Sequence, residues 1–429
     1  MDGHVNVMRG RLRYVLVLIV PVALAACNTP PTAQYDRPLP AGSRALHKVP
    51  PDQWPDMATT FARHDAELDA ALTRSIEWFE IPSTQRFYPI EAITHEQARL
   101  SAFALRRIMA ESMTPQGYEA KLREAFDLYM SVGWNGRGTV LFTGYFSPIF
   151  EASRTQTQQF RFPLYGKPED LEADPATGQV RGWKVGQVYI RYPKRSKIES
   201  DPQRYGLEGR ELVYLASPLQ AYFIHVNGSA RLRMTDGSAM YVGYAGSNGR
   251  AYTSIGRLLV RDGKITEEQI SLQAIRDYFQ THPEELETYT HRNDRFVFFQ
   301  AYDGDAWPSG SLGFKVTPWR TLATDKTIFP RGCPVMVVTE VPSTDAWPST
   351  ARRRFQQIMA DQDTGGAIRA PGRADIYMGI GSEAEAVAGR QAAEGRLYYL
   401  VLRDAQVDAW RDTYVRGDSE ARQASTNGP

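Results

Sequence analysis

Three aspartates lie close together in the stretch Ala360–Tyr377, ADQDTGGAIRAPGRADIY. Asp361 and Asp363 precede paired glycines, which permit backbone angles that other residues avoid and therefore predict a tight turn. Asp375 begins a strand-like run after the next loop, so the acids lie at the ends of a compact turn–strand–turn unit. A single aspartate in a glycine-rich loop most often caps backbone amides. Their repetition between apolar flanks favours a carboxylate site here.

A further aspartate, Asp325, lies in TDKTIFPRG and by itself indicates an acid in a turn. With Asp363 and Asp375 it would form a set of three aspartates across a small barrel. Three acids could also bind Ca²⁺, but Asp325 and Asp375 are 50 residues apart and the sequence has no DxDxDG loop, which disfavours this alternative. The seven histidines are scattered without an HExxH motif, and no zinc-type Cys/His spacing occurs. The sequence therefore predicts neither a metal site nor a cofactor.

Other motifs give weaker signals. The glycines of Gly243–Gly249 are spaced GxxGxxG, which does not match GxGxxG, so a turn is favoured over a nucleotide site. Ser217 and Ser247 lie outside a GxSxG motif, which favours structural roles over nucleophilic ones. His225 lies in an apolar run and is expected to be a packed or hydrogen-bonded core residue.

Length and composition are those of a globular protein. The chain has 429 residues, enough for two domains, and 42% of them are hydrophobic. The formal net charge of +1 implies no general attraction to nucleic acid. The two cysteines, Cys27 and Cys333, are too few for a disulfide framework, and Cys333 is expected to be buried and inert.

The N-terminus has the pattern of an export signal. Three arginines precede an apolar run that is too short for a stable membrane span, which predicts a signal peptide over residues 1–26. The run ends in LAAC, which resembles the lipobox of bacterial lipoproteins, so Cys27 would be lipidated and become the first mature residue. An ordinary signal peptide with an incidental cysteine is the alternative. Asn28 follows, where an aspartate would favour the inner membrane, so the resemblance implies an outer-membrane anchor that faces the periplasm, with residues 27–55 as a linker.

Capping patterns predict helices in the region after the linker. One helix is expected to start at Thr94 and end at Glu111. Another is expected to start at Thr114, with Pro115 as its first residue, and to run to about Val132.

The remaining chain has mainly strand patterns. Residues 149–295 alternate short apolar runs with turn signals, including Ala221–Val226, and predict mostly antiparallel sheet. From residue 296 onward, short strands with Gly/Pro turns suggest a small barrel, with one helical interruption at Ser382–Gly395. The polar tail, residues 416–429, is predicted to be disordered.

Several of these segments resemble one protein family. The order Asp325…Asp363-Thr-Gly-Gly-Ala-Ile…Asp375-Ile-Tyr-Met-Gly-Ile-Gly is similar to the 3D domain, which is named for three aspartates. Three upstream segments resemble the insert domain of membrane-bound lytic murein transglycosylase A: FTGYFSP at 142–148, YAGSNGRAYTSIG at 244–256 and SLQAIR at 271–276. The likeness extends over about residues 85–405, and the shared order of several motifs makes it specific.

The resemblance implies a mainly β fold with helices. The fold would be a double-psi β-barrel split by an inserted β-rich domain, with a glycan groove between the two. Residues 56–147 and 296–415 are then expected to form the N-terminal helices and the barrel. Residues 148–295 are expected to form the inserted domain.

The resemblance also implies an activity. The family cleaves the β-1,4 bond between N-acetylmuramic acid and N-acetylglucosamine of peptidoglycan strands and leaves a 1,6-anhydro sugar, so no water is consumed. The family's catalytic aspartate falls on Asp375, and its two companion carboxylates fall on Asp363 and Asp325. Substrate contacts are expected at Thr143, Gly144, Tyr145 and Gly366.

A single carboxyl group can perform this reaction, by protonating the leaving oxygen and then accepting a proton from the C6 hydroxyl that attacks C1. Asp375 must begin protonated, so its pKa must exceed the ordinary value near 4. Burial beside Ile376 and nearby negative aspartates would both raise that pKa. Two alternatives stay open: a hydrolytic glycosidase in which Asp363 activates water, and a non-catalytic wall-binding lipoprotein. The sequence does not identify protein partners, among which those of cell-wall synthesis or division stay open.

Overall fold

Two compact units make up the chain, Met1–Ala33 and Gln34–Pro429. The computed structural model describes residues 1, 33–63, 65–174, 180–266, 270–302, 304, 307–343 and 351–426. In the first unit, the described residues are therefore Met1 and Ala33. The predicted signal peptide beyond Met1 and the predicted lipidation site at Cys27 lie outside the described residues.

Short strands dominate the second unit. Its strands are β1 (Leu46–Lys48), β2 (Phe126–Ser131), β3 (Val140–Ser147), β4 (Ile149–Ser153), β5 (Phe162–Tyr165), β6 (Leu171–Ala173), β7 (Val180–Val185), β8 (Val188–Ile190), β9 (Glu211–Leu215), β10 (Ser229–Met234), β11 (Ala239–Ser247), β12 (Val297–Tyr302), β13 (Thr321–Ala323), β14 (Pro334–Pro342), β15 (Arg352–Asp363), β16 (Arg373–Ile380) and β17 (Ala392–Leu402).

The helices lie before, between and after these strands. They are α1 (Ala66–Phe79), α2 (His95–Glu111), α3 (Pro115–Ala125), α4 (Arg195–Ser200), α5 (Pro218–Asn227), α6 (Ile255–Arg261), α7 (Leu272–Thr281), α8 (Leu286–His291), α9 (Gly381–Ala388) and α10 (Val407–Thr426). Among the described residues, none of these helices is both long enough and apolar enough to span a bilayer.

A closed ring of strands forms the centre of the fold. Eight strands share one sheet in the order β1-β2-β17-β14-β15-β13-β16-β3, and β17 also pairs with β3, which closes six of them into a ring. Pairing is parallel between β13 and β15 and between β16 and β3. The fold is mainly β with helices, and this ring is the double-psi β-barrel that the sequence resemblance implied. Apolar side chains fill it, among them Phe142, Leu322, Val337, Met359, Ile376 and Leu397.

Two distant stretches of the chain build this barrel. β3 supplies one wall, and the other strands of the ring follow residue 320. The predicted pairing of residues near 139–147 with a segment after about residue 296 is thus confirmed by the pairs of β3 with β16 and β17.

A second, six-stranded sheet occupies the sequence between these stretches. Its order is β12-β11-β10-β4-β9-β5, and a three-stranded sheet, β6-β7-β8, accompanies it. β12 pairs with β11 from Val297↔Ser247 to Tyr302↔Tyr241, so the inserted sheet extends past the expected boundary at residue 295. The apolar run at the start of this strand could not reveal which sheet it joins, because that choice depends on long-range pairing.

The N-terminal helices begin where their caps predicted. The Thr94 side chain accepts a hydrogen bond from the amide of Gln97, and Thr114 accepts one from the amide of Gly117. α2 therefore has the predicted bounds. α3 ends at Ala125, short of the expected Val132, because Phe126–Ser131 pairs with β17 and places Phe126 and Leu128 in the core.

Other local expectations differ from the structure. Ala221–Val226 is part of helix α5 and not a strand, since Ser217 caps its start, Pro218 is its first residue and Gly228 ends it in a left-handed conformation. The helix expected at Ser382–Gly395 ends at Ala388, and β17 begins at Ala392.

Both ends of the second unit are more ordered than the sequence predicted. Near the N-terminus, Leu46–Lys48 pairs with β2 and Trp54 is buried, so the last part of the expected linker is folded onto the barrel. α10 continues to Thr426, through residues that their polar composition suggested to be disordered.

Candidate active site

Asp375 lies in the middle of the barrel wall, on β16. Its neighbours Ala374 and Ile376 are fully buried in the barrel core, so alternation along the strand directs Asp375 to the outer face. Asp375 is paired in register with Thr143 on β3 and with Ala323 on β13. The two adjacent strands thus fix its backbone on both sides.

Few groups bind the carboxylate of Asp375. The hydroxyl of Thr143 donates a hydrogen bond to its Oδ1 atom, and Arg373 Nη2 in turn lies 3.2 Å from that hydroxyl oxygen. Within the part of the chain that the structure describes, no hydrogen-bond donor contacts Oδ2. One carboxylate oxygen of Asp375 is therefore free of protein donors, although the side chain is half-buried.

The pKa of Asp375 is raised above its ordinary value. Burial is the largest cause, because it penalises the charged carboxylate, while the positive charge of Arg373 and the hydrogen bond from Thr143 lower the pKa in part. Burial was the predicted cause. The expected contribution from neighbouring aspartates is not among the causes, and the charge that affects the pKa of Asp375 is the cation of Arg373.

Asp363 lies at the end of β15, close to Asp375. Ala323 on β13 pairs with both Asp363 and Asp375, so the two aspartates flank one strand. Neighbouring strands are about 4.8 Å apart, which places their backbones roughly 10 Å from each other. Their side chains are connected through β3, whose Tyr145 hydroxyl donates to Asp363 Oδ2 at 2.7 Å.

The carboxylate of Asp363 is more fully hydrogen-bonded than that of Asp375. In addition to Tyr145, the backbone amides of Ser311 and Thr364 both donate to Oδ1 at 2.8 Å. Burial raises the pKa of Asp363, and these hydrogen bonds act in the opposite direction. Asp363 thereby holds the two loops on which those amides lie.

Thr143 and Tyr145 lie two residues apart on β3 and therefore share a face of the strand. One supplies a hydroxyl to Asp375 and the other supplies a hydroxyl to Asp363. Gly144, between them, points to the opposite side. A Cβ atom there would lie 2.8 Å from the sulfur of Met378, so Gly144 allows β3 to pack closely within the barrel.

Asp325 is buried and bound by the backbone. Its Oδ1 accepts from the amide and the hydroxyl of Thr327 at 3.1 and 2.7 Å, and its Oδ2 accepts from the amide of Ala370 at 2.9 Å. Arg369 Nη1 lies 3.6 Å from Oδ1. These contacts connect the end of β13 to the loop before β16, as expected of an acceptor for loop amides.

Asp361 is separated from the other aspartates of its sequence cluster. It is 0% exposed inside the barrel, where Lys326 forms a buried ion pair with it. The hydroxyls of Tyr399 and Thr324 each donate to Oδ2 at 2.8 Å. Asp361 is thus fully engaged within the core.

Residues 148–302, which carry the six-stranded and the three-stranded sheet, are called the inserted body. This body forms the wall that faces the aspartates of the barrel. Gly366, on the turn after Asp363, packs directly against Arg295 from this body, since a Cβ at Gly366 would lie 2.8 Å from the Nε atom of Arg295. Tyr252, also from the inserted body, is near enough for the charge of Asp375 to raise its pKa in part, although burial is the largest cause. The aspartates therefore lie on the side of the barrel that faces the insertion.

Sequence reasoning missed three residues of this region. Arg373 is the first residue of β16, and Arg295 and Asn293 lie in the loop before β12, all without a recognisable motif. Their contacts are with residues distant in sequence: Thr143 for Arg373, Gly366 for Arg295 and Thr253 for Asn293. A cation next to a candidate acid was the available signal for Arg373, since it precedes Asp375 by two residues.

Other residues singled out in the sequence have structural roles. His225 is buried, accepts a hydrogen bond from the amide of Val297 at 3.1 Å, and has a pKa lowered by burial. Ser217 caps α5, and Cys333 is buried with a raised thiol pKa. These observations confirm the core role predicted for His225. Across the described ranges, no group of three or more acids, histidines or cysteines is placed to bind a metal ion.

Comparison with known proteins gives two family matches on this chain. The MltA specific insert domain matches residues 141–300, and the 3D domain matches residues 320–401. Together they cover β3, the inserted body and the strands that carry the aspartates. The first match also includes most of β12, in agreement with its pairing in the inserted sheet.

Relatives and solved structures that match larger parts of the chain agree with these matches. The chain is 30% identical over 280 residues to the membrane-bound lytic murein transglycosylase A of Vibrio cholerae, covering 65% of this chain and 69% of the relative. A crystal structure of a membrane-bound lytic murein transglycosylase from Agrobacterium tumefaciens superposes with a TM-score of 0.68 at 24% identity, covering 85% and 99% of the two chains. The Escherichia coli MltA crystal structure with bound chitohexaose has a TM-score of 0.60 at 25% identity, covering 86% and 96%.

Proposed function

Because this chain belongs to the membrane-bound lytic murein transglycosylase A family, we propose that it cleaves the glycan strands of peptidoglycan without consuming water. The bond cleaved is the β-1,4 bond between N-acetylmuramic acid and N-acetylglucosamine, and the product carries a 1,6-anhydromuramic acid end. The enzyme is then a carbon–oxygen lyase. The groove between the barrel and the inserted body binds the strand.

Asp375 is the catalytic residue of this proposal. One observation carries the assignment: its carboxyl group has a raised pKa and an oxygen to which none of the described residues donates. A protonated carboxyl can give its proton to the leaving glycosidic oxygen, which breaks the bond to C1. The resulting carboxylate then accepts the proton of the C6 hydroxyl as that oxygen bonds to C1. Acid and base are the same group, so a second free carboxylate is unnecessary.

Thr143 and Arg373 support both halves of this cycle. The Thr143 hydroxyl donates to Oδ1, which leaves Oδ2 to face the substrate. The positive charge of Arg373 favours the carboxylate that forms after the first proton transfer. Burial therefore raises the pKa of Asp375 and Arg373 lowers it. A group that must both give and accept a proton requires such a balance.

Asp363 is poorly suited to the hydrolytic alternative. A general base for water needs an accessible oxygen, but hydrogen bonds from Tyr145, Ser311 and Thr364 already use three of the roughly four acceptor positions of Asp363. Glycosidases that invert configuration also place two free carboxylates on opposite sides of the bond. The hydrogen bonding of Asp363 thus supports a positioning role, as does that of Asp325.

The product end group tests the proposal directly. Purified enzyme is incubated with isolated peptidoglycan, and the released fragments are analysed by mass spectrometry. We expect anhydro ends, which are lighter than reducing ends by one water. Reducing ends would identify a hydrolase, and the absence of released fragments at saturating binding would identify a wall-binding protein.

For the location of the enzyme, we propose a lipid anchor at Cys27 in the outer membrane, with the catalytic body in the periplasm. The LAAC pattern and the preceding apolar run support this proposal, as does the membrane-bound designation of the relatives.

Replacement of the anchoring residue tests this location. Cys27→Ala should move the protein from the membrane fraction to the soluble fraction, while the rate of glycan cleavage stays unchanged. Fractionation before and after a salt wash measures the shift. A variant that remains membrane-bound after the wash would show that another feature attaches the protein.

A further inference from the structure

Arg295 is a half-buried cation of the inserted body that contacts the barrel. It lies just before β12, and its guanidinium packs on Gly366 of the turn that follows Asp363. A side chain at position 366 would collide with it, because a Cβ there would lie 2.8 Å from Nε and 3.1 Å from Cζ. The absence of a side chain at Gly366 thus leaves the space that the guanidinium occupies.

A buried polar cluster fixes the backbone from which this side chain extends. Arg195, 1% exposed, donates from Nε and Nη2 to the carbonyl of Arg295 at 3.1 and 2.8 Å. The Asn293 side chain, 2% exposed, accepts from the amide of Arg295 at 3.3 Å and from that of Thr253 at 3.0 Å. Arg195 also lies over the ring of Phe296. The position of Arg295 is therefore set before any ligand arrives, which reduces the entropy lost on binding.

The charge of Arg295 lacks a counter-charge. Within the described residues, no carboxylate lies at ion-pair distance from its guanidinium, and the side chain that interacts with it is the neutral Tyr244. Burial and repulsion by Arg369 both lower the pKa of Arg295. Arg369 is half-exposed and paired only loosely, at 3.6 Å, with Asp325, whose oxygens are already occupied. The positive charges of Arg295 and Arg369 thus lie in the same part of the groove, and little negative charge from the described residues balances them.

An anion from the substrate would complete this arrangement. A partly desolvated guanidinium is costly when unpaired, and its planar donors match a carboxylate in bidentate geometry. Peptidoglycan strands carry carboxylates on the lactyl group of N-acetylmuramic acid or on the peptide attached to it. We propose that Arg295 and Arg369 form a subsite that binds such a substrate carboxylate. This assignment rests on the proposed function and adds to it the group by which the strand is held.

Binding is measured in the Asp375→Asn background, so that the strands are not turned over. Three ligands separate the sources of the charge: an uncharged N-acetylglucosamine hexamer, glycan strands with free lactyl carboxylates, and strands that carry peptides. Arg295→Gln and Arg369→Gln are compared with Arg233→Gln, an exposed arginine of the same body that lies 3.7 Å from Glu151. Circular dichroism and thermal melting establish that each variant is folded.

We expect Arg295→Gln to weaken binding of a carboxylate-bearing strand by about 10- to 100-fold, the range for a hydrogen bond to a charged group. Arg369→Gln should have a smaller effect in the same direction, and Arg295→Lys should retain part of the affinity. Hexamer binding and the control variant should be unchanged. A loss confined to peptide-bearing strands places the carboxylate on the peptide. A loss confined to strands with free lactyl carboxylates places it on the lactyl group, because the peptide is joined to that carboxyl by an amide bond. A loss with both charged strands shows that the subsite accepts either carboxylate.

Two results would overturn the subsite. Equally weakened binding of the hexamer and of the charged strands would show that Arg295 shapes the groove without binding a substrate carboxylate. Unchanged affinity of Arg295→Gln for every strand would show that no carboxylate binds there. Either result leaves glycan cleavage by the parent enzyme unaffected, so it is distinguishable from failure of the proposed function, in which the parent would release no fragments.

Discussion

Asp361 and Asp375 lie on β15 and β16, the two strands that flank β13, but their surroundings are opposite. Asp361 points into the barrel, where Lys326, Tyr399 and Thr324 bind its carboxylate. Asp375 points outward and receives one hydrogen bond from the described residues. Under the proposed function, the same side chain thus stabilises the core in one position and supplies a transferable proton in the other. The direction of the strand face and the number of donors decide between these roles.

The largest effect is expected from replacement of Asp375, which should lower the rate of glycan cleavage. Asp375→Asn retains the shape of the side chain and removes its titrating proton, so cleavage should fall by about 10²- to 10⁴-fold, the usual range for general acid–base catalysis. Release of anhydro fragments is the measurement, and thermal melting verifies the fold. Anhydro product at nearly the parental rate from a folded Asp375→Asn enzyme would remove Asp375 from the mechanism.

Asp361 should show the reverse pattern. Asp361→Asn leaves the charge of Lys326 buried without a partner, which should lower the free energy of unfolding by about 3–5 kcal/mol. Urea denaturation measures the loss, and activity per folded molecule should remain. The double variant Asp361→Asn with Lys326→Met is the matched control, because removal of both charges should restore part of the stability. Parental stability in the single variant would contradict the proposed role of the pair.

Asp363 should be intermediate between these extremes. Asp363→Asn replaces one acceptor oxygen by a donor that faces the hydroxyl of Tyr145 or the amides of Ser311 and Thr364. A lost hydrogen bond of this kind should reduce stability by about 1–3 kcal/mol and activity by a smaller factor than Asp375→Asn. Thermal melting and fragment release are measured on the same preparation. A rate loss as large as that of Asp375→Asn, without a change in stability, would instead indicate direct participation of Asp363.

The smallest expected effect is a shift of the pH profile. Because the pKa of Asp375 is raised, the protonated form that the proposed mechanism requires is lost as pH rises through that pKa, so the rate should fall on the alkaline side. Thr143→Val removes a hydrogen bond that favours the carboxylate, and the falling limb should therefore move to higher pH. The rate at the optimum should change by no more than about tenfold, as expected for one hydrogen bond.

The control for this shift is Tyr145→Phe, which removes a hydroxyl from Asp363 and not from Asp375. The alkaline limb of the pH–rate profile of Tyr145→Phe should stay close to that of the parent enzyme. A Thr143→Val profile that moves to lower pH would contradict the assignment of the limb to Asp375. The comparison of the two hydroxyl deletions therefore tests which carboxylate controls the rate.

Local signals in the sequence predicted the elements that local contacts determine. The caps at Thr94 and Thr114 gave correct helix starts, because one hydroxyl and one nearby amide form each cap. For α5 the corresponding signal lies in Ser217-Pro218 and in Gly228, whereas the apolar content of Ala221–Val226 favours a strand.

Long-range contacts decided the rest. The end of α3 depends on pairing with β17, and the position of β12 depends on pairing with β11. The aspartate cluster was recognisable from residue types, but no sequence pattern distinguishes the enclosed Asp361 from the outward Asp375. That distinction follows from the strand face on which each side chain lies and from the partners that face provides.

The pairing of Thr143 with Asp375 has a consequence for the order of folding. These residues are separated by 232 positions, and the loop between them contains the whole inserted body. Such a non-local contact forms slowly, since the closure entropy of the loop is lost before the strand pairing compensates for it. We expect the inserted sheet to fold first, and the ring of strands to close only after β16 and β17 are available. A chain that ends before β16 would then lack the pairing of Thr143 with Asp375, so the proposed active site would be complete only after the C-terminal strands have joined the ring.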